Sequence, residues 1–299
     1  MMIRFFLTLF VFQLLFLECN SQGILIPSRL RGIRIASHPK DGEIFINKNP
    51  KPGEKDYKFV SLAGTTWLAE NLQAKTFNNG ELIFHATTDK EWEEAGESSK
   101  PAWRFPDYDP KNSESFGYEY NWYAVVDSRG IVPDGYIIPN ETEYRNLVNH
   151  FGGWNVAAFK LKSKIGWGDF CLGGEQLVKC PNCSNWSADY RKIVPCNKCK
   201  GNQTVKISTP IVKKSGNGNN SSGFSAIPTH IGLTSCDYDY RLWKPKSKNY
   251  LGQSVWWTRT PGDGSSKFAK AFFIENTNNI YFEIEFKYKG YPVRCYFGG

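Results

Sequence analysis

The sequence predicts an α+β body. Short runs that alternate apolar and polar residues between turn signals read as antiparallel strands, and one capped amphipathic segment with a shorter one behind it reads as a pair of helices. Strands and helices do not alternate as a parallel doubly wound sheet requires. Composition agrees: 21 Phe, 15 Tyr and 10 Trp against 2 Met suit half-buried pleated surfaces with many aromatic anchors. With 40% hydrophobic and 22% charged residues over 299 positions, disordered, collagenous and coiled-coil classes are excluded.

In chain order, the first element is an address. Arg4 precedes an apolar run from Phe5 to Leu17 broken by Thr8 and Gln13, the pattern of a secretory signal over residues 1–18. Cys19 follows directly and resembles the lipidated cysteine of bacterial lipoproteins, although Glu18 replaces the usual small residue; simple cleavage near Ser21 or Gly23 is the alternative. The expected location is the outer membrane or cell surface, with the membrane reached through an N-terminal lipid, or otherwise the secreted fraction. No internal stretch approaches the ~20 apolar residues of a spanning helix. Residues 19–55 read as a spacer with one strand, Gly42 to Asn47.

From residue 56 the text is strand-like. Tyr57 to Leu62 and Thr65 to Leu72 flank the turn Ala63-Gly64. A helix is predicted from Glu141 to Phe151: Asn140 caps it, Glu143 completes a capping box, and Tyr144, Leu147, Val148 and Phe151 form one buried stripe before Gly152-Gly153. A second helix is expected from Asn155 toward Ser163. Ala269 to Glu275 and Ile280 to Lys287 flank Asn276-Thr-Asn-Asn279 as a hairpin, and a last strand runs from Tyr291 to Phe297.

The chemistry-bearing motif is Cys180-Pro-Asn-Cys183 and Cys196-Asn-Lys-Cys199, twelve residues apart. Two such turns supply four thiolates for a closed tetrahedral zinc site, structural rather than hydrolytic. Zinc would also stabilise a polar segment too poor in apolar residues to fold unaided. Disulfides between the two turns are the alternative in an oxidising compartment. The surrounding segment is basic: between Lys179 and Lys214 it carries eight basic residues against Asp189 alone, out of a chain net charge of +8. Arg191 and Lys198 are therefore candidate contacts for an anionic polysaccharide, a lipid headgroup or an acidic partner protein. Nucleic acid is disfavoured by export, and a solvated charged loop is the bland alternative.

Trp103, Trp243 and the Trp256-Trp257 pair admit a glycan-binding reading, because exposed rings meet the apolar faces of sugars. Neighbours on a strand point to opposite faces, so at most one of the pair is expected in the core and Trp257 is the candidate ligand contact. Rings pinning loops to the core are the competing reading. No catalytic set is visible: His38, His85, His150 and His230 match no ligand spacing, Glu141 and Glu143 suit the first turn of a helix, and G-x-S-x-G, P-loop and H-E-x-x-H motifs do not occur.

Seven blocks occur in order: Thr66-Trp-Leu-Ala-Glu-Asn-Leu72, Phe116 to Val125, Pro133 to Tyr144, Lys160-Leu-Lys-Ser163, Asn219 to Pro228, Val255-Trp-Trp-Thr258 and Val293-Arg-Cys295. Over residues 56–299 the chain resembles the Fibrobacter succinogenes major paralogous domain family, exported and lipoprotein modules of bacteria usually without an assigned activity. That resemblance in turn implies a C-type-lectin-like fold with long loops, related to formylglycine-generating enzymes. In the family a cysteine commonly stands where this chain has Val132, as partner to the one matching Cys295, so Cys295 is expected to be free or paired elsewhere. The family pattern also lacks the cysteine-rich stretch, so the resemblance implies that residues 171–216 are an insertion between the second helix and the Asn219 block. Cys196-Asn-Lys-Cys-Lys-Gly201 also resembles a half-repeat of the zinc-binding region of DnaJ-type chaperones. The implied function is a non-catalytic surface module binding a glycan, an envelope component or a partner protein; the alternatives are an oxidase relative with a displaced site, or a purely architectural protein.

Overall fold

A computed structural model of the chain describes residues 40–46, 55–167, 169–179, 204–229, 238–239, 244–245, 252–262, 264 and 266–298, all within the compact unit Lys40–Gly299. The class is α+β. Among the described residues there are fifteen strands, most of them antiparallel, and five α-helices rather than two.

The largest sheet has five strands. β1 (Ile44–Ile46), β2 (Lys58–Leu62) and β3 (Thr65–Leu68) run in sequence, and β15 (Tyr296–Phe297) enters between β3 and β7 (Tyr136–Ile137). Ala63 and Gly64, both at positive φ (52° and 77°), close the tight β2–β3 turn, and the Ala63 N–H is held by Asp41 at 2.9 Å. The last strand is shorter than the expected Tyr291–Phe297. Pro292 has no N–H, and the carbonyls of Val293 and Cys295 instead accept from Leu72 and Leu68, off the regular ladder.

A second sheet is formed by β12 (Gln253–Pro261), β13 (Phe268–Glu275) and β14 (Ile280–Phe286), the last two making the expected hairpin with Asn278 at φ 71°. This sheet corrects the expectation for the tryptophan pair. Trp256 and Trp257 do point to opposite faces, but both are fully buried, because each face carries its own core. On one side Trp256, Phe272 and Ile274 pack under α4 (Glu141–His150) and α5 (Ala157–Leu161), with Tyr144 stacked 4.3 Å from Phe272. On the other, Val255, Trp257 and Phe273 join Tyr120, Tyr291 and Cys295. A strand covered on both faces loses the in–out alternation that makes a surface ring legible.

α4 keeps its predicted cap: Asn140 Oδ1 accepts from the Thr142 N–H at 2.6 Å, and Glu143 accepts from the Asn140 N–H at 2.8 Å. α5 is shorter than expected. The helix α1 (Asp89–Glu97) was not legible, since it buries only Trp92, Ala95 and Gly96, a stripe of one large and two small residues. Gly96 is required there: a Cβ would lie 2.6 Å from that of Tyr288. Downstream, β5 (Ala102–Arg104) pairs in parallel with β4 (Phe84–His85) and antiparallel with β6 (Glu119–Tyr120).

The insertion is bounded by a long hairpin, β8 (Phe170–Lys179) and β9 (Thr204–Lys214), which pairs Phe170 with Lys214 and Lys179 with Thr204. Pro210, which cannot donate to a ladder, falls in the register shift between Leu172 and Gly174. Residues 180–203, with Cys180, Cys183, Cys196, Cys199, Arg191 and Lys198, lie outside the described residues, as do Cys19 and Trp243.

Candidate functional site

Parallel pairing of β4 with β5 places His85 opposite Trp103, and the two rings stack 3.9 Å apart at an interplanar angle of 6°. The other face of Trp103 stacks on Tyr118 at 4.3 Å, and Phe105 closes the column edge-on. Beside this column opens a cavity of about 490 Å³. Its floor is apolar, made of the buried Phe77, Ile83 and Trp103, and the half-buried Phe84 and Pro101 form its walls.

Cations ring it. Lys100 Nζ lies 3.5 Å from the Phe84 centroid, Lys75 Nζ 5.8 Å from that of Trp103, and the Arg129 guanidinium 3.7 Å from that of Phe77. Arg129 is neutralised by Asp127 and Glu81, whereas neither lysine meets a carboxylate among the described residues. Burial, and then the neighbouring Lys75, hold the His85 imidazole below its ordinary range, with Glu91 pulling the other way. At neutral pH the site therefore presents two unneutralised ammonium groups, an uncharged imidazole able to donate or accept, and apolar ring faces. Such a surface suits a ligand that is anionic at one edge and apolar at another.

A larger cavity of about 1010 Å³ lies between the loop 125–132, the start of α4 and the end of β12. Glu141 lines it but is engaged by Lys270 at 2.9 Å and by Arg145, and the bond from Lys270 is the main cause holding its carboxyl below the usual range. Glu141 is thus an ion-pair anchor, as a first-turn carboxylate should be.

Of the residues singled out from sequence, Trp257 is enclosed, with its indole N–H donating to the Tyr120 carbonyl at 2.8 Å; its ring offers no face to solvent. Cys295 is buried and unpaired, and burial pushes its thiol far above the ordinary range. Among the described residues, no three His, Cys, Asp or Glu side chains come together as a metal site. Lys75, Lys100 and Arg129 escaped sequence reasoning, and His85 was set aside by it, because they are scattered single residues. The aromatic run Trp103-Arg-Phe105 was the only local signal near them, and the parallel strand pair that assembles them has no sequence signature.

The quoted blocks meet elsewhere, in a buried polar node. Arg294 donates through Nε to Asn71 Oδ1 at 2.8 Å, through Nη1 to the carbonyls of Leu68 and Phe224, and through Nη2 to that of Ser225 at 3.3 Å. Asn71 Oδ1 also accepts from Trp256 Nε1 at 2.9 Å, while its Nδ2 donates to the Phe116 carbonyl at 2.8 Å. Burial lowers the Arg294 guanidinium to about 10, still charged at neutral pH. Asn71, Phe116, Phe224, Trp256 and Arg294 come from five of the seven blocks, so these blocks are joined physically as well as in order. The sequence profile described as the Fibrobacter succinogenes major domain matches residues 60–296.

The chain belongs to that family. No curated protein and no solved structure shows a match to it. In this Fibrobacter succinogenes major domain, Val132 and Cys295 both belong to one apolar cluster, and the Cys295 thiol is free. The family's motifs build the scaffold, and the cation-ringed cavity lies outside the node they form.

Proposed function

We propose that this Fibrobacter succinogenes major domain protein is a non-catalytic binding module displayed outside the cell, with a glycan as its ligand. The observation that carries the reading is the pair of unneutralised lysines, Lys75 and Lys100, set over aromatic rings at the mouth of a cavity with an apolar floor. A sugar fits this chemistry: apolar ring faces meet Phe84 and the outer face of His85, and acidic substituents meet the ammonium groups. An envelope component or a partner protein with the same anionic and apolar edges fits it as well. The Arg4–Leu17 pattern with Cys19 supports export and a lipid anchor, and a C-type-lectin-like body is the scaffold the family resemblance suggests.

The oxidase reading needs a reactive thiol. The burial of Cys295 and its raised pKa disfavour that reading. For the insertion, the four cysteines fall between Lys179 and Thr204, which are register partners, so the ends of the segment are held together as a zinc knuckle would require. Elemental analysis of purified protein with thiol counting tests this: one zinc per chain supports the knuckle, and no metal with no free thiols removes it. A glycan array probed with wild-type protein and with Lys75→Ala/Lys100→Ala tests the main reading. Signal lost in the double variant supports it; equal signal in both contradicts it.

A further inference from the structure

The two cavities share one loop. Asp127, Ser128 and Gly130 line the larger, and Arg129 between them lines the smaller. This loop is a fixed saddle. Arg129 holds both carboxylate oxygens of Asp127, at 2.8 and 2.9 Å, and its third nitrogen reaches Glu81. Its guanidinium rests on Phe77, and the Asn78 N–H bonds the Gly130 carbonyl at 2.9 Å. Gly130 takes φ +70°, and a Cβ there would lie 2.9 Å from Asn78 Nδ2, so the loop packs closely against Asn78.

Charge is distributed along this path. Both acidic groups lining the cavities are already engaged, Asp127 by Arg129 and Glu141 by Arg145 and Lys270. Lys75 and Lys100 are unneutralised in the smaller cavity. In the larger cavity Arg259 is exposed and meets no carboxylate among the described residues. The wall of the larger cavity also offers hydroxyls and an amide, from Ser128, Thr142, Thr260 and Asn140, against apolar Ile131 and Tyr136.

From this arrangement we propose that the two cavities form one site for an extended chain of carboxylate-bearing sugars, which crosses the Asp127–Gly130 saddle with Lys75 and Lys100 taking acid groups at one end and Arg259 at the other. The inference rests on reading the smaller cavity as the glycan site. Cations interspersed with hydroxyl-bearing and apolar wall match a sugar strand, whose carboxylates are interspersed with hydroxyls and apolar ring faces. An oligonucleotide shares the charge but not the sugar-ring hydroxyl pattern, and so serves as the comparison anion. Linking contacts in two cavities through one strand raises affinity by making the second contact intramolecular.

The test is calorimetric titration of the full chain with galacturonate oligomers of two, four, six and eight units, with neutral glucan oligomers of equal length and an oligonucleotide as comparison ligands. The expected result is weak binding of the shortest oligomer that depends on Lys75 and Lys100, with affinity rising by about tenfold or more in the longer ones. Arg259→Ala, a surface change, should abolish the rise and leave the shortest oligomer unaffected. If short and long oligomers bind alike and Arg259→Ala is silent, the saddle inference falls while the smaller cavity stands as a site. Lack of binding by any acidic oligomer overturns both. Equal binding of the oligonucleotide or of the neutral oligomers overturns the assignment to acidic sugars.

Discussion

Asn71 and Arg294, 223 positions apart in the chain, share a buried hydrogen bond of 2.8 Å, and the same Asn71 oxygen also receives the indole N–H of Trp256. One short amide thereby fixes the end of β3, the β12 strand and the C-terminal segment against each other. A buried guanidinium surrounded by carbonyls and an amide is tolerable only while those acceptors stay in place.

Asn71→Leu should therefore be among the most damaging single changes in the domain. It strips an acceptor from a buried charged donor and from a buried indole N–H, and leaves the Phe116 carbonyl unpaired. The expected loss is about 3 kcal/mol or more, read as a shift of the urea midpoint, with Arg259→Ala near neutral at about 0.5 kcal/mol or less. Equal effects of the two changes would contradict the node.

Gly117 supports the same node. At φ +74° its missing Cβ would lie 2.6 Å from that of Asn71, whereas Gly153, at φ +81°, faces open space. Gly117→Ala should cost more than Gly153→Ala, whose penalty is backbone strain alone at about 1 kcal/mol. Paired thermal melts of the two variants provide the comparison.

His85 makes stability depend on pH with a definite sign. Burial and Lys75 hold its folded-state pKa below the ordinary 6.5. Between the ordinary value and the lower folded-state value the unfolded chain binds more protons than the folded one, so stability falls as pH drops through that interval and levels off below it. Lys75→Ala removes one of the two causes, and NMR titration of the His85 ring should show its pKa rising toward the ordinary value. A bound carboxylate acts in the same direction, so affinity for an acidic ligand should increase as pH is lowered from 7.5 toward 5.5.

Cys295 should be inert in the native state. Its thiol is enclosed and its ionisation suppressed by burial. Mass spectrometry after brief alkylation should find the Cys295 peptide unmodified until denaturant is added. Rapid native labelling would reopen the oxidase reading.

Much of the scaffold was legible because its signals are local. The Asn140 cap, the Tyr144–Leu147–Val148 stripe, the Ala63-Gly64 turn and the Asn276–Asn279 hairpin each declare themselves within a few residues. The site was not legible, for the converse reason. His85 and Trp103 meet only through parallel pairing of a two-residue strand with a three-residue one, and Lys75, Lys100 and Arg129 arrive from three separate segments. Trp256-Trp257 misled in a third way, since strand alternation gives the direction of a side chain but not whether the opposite face is also covered.

The most direct test of the binding account is NMR mapping on the isotope-labelled protein titrated with an acidic oligosaccharide. The account expects the His85 ring and the backbone amides of Lys75, Phe84 and Lys100 to shift together and to saturate with one affinity, and Lys75→Ala/Lys100→Ala to suppress those shifts. Binding that perturbs a different surface and leaves these residues unmoved would contradict it.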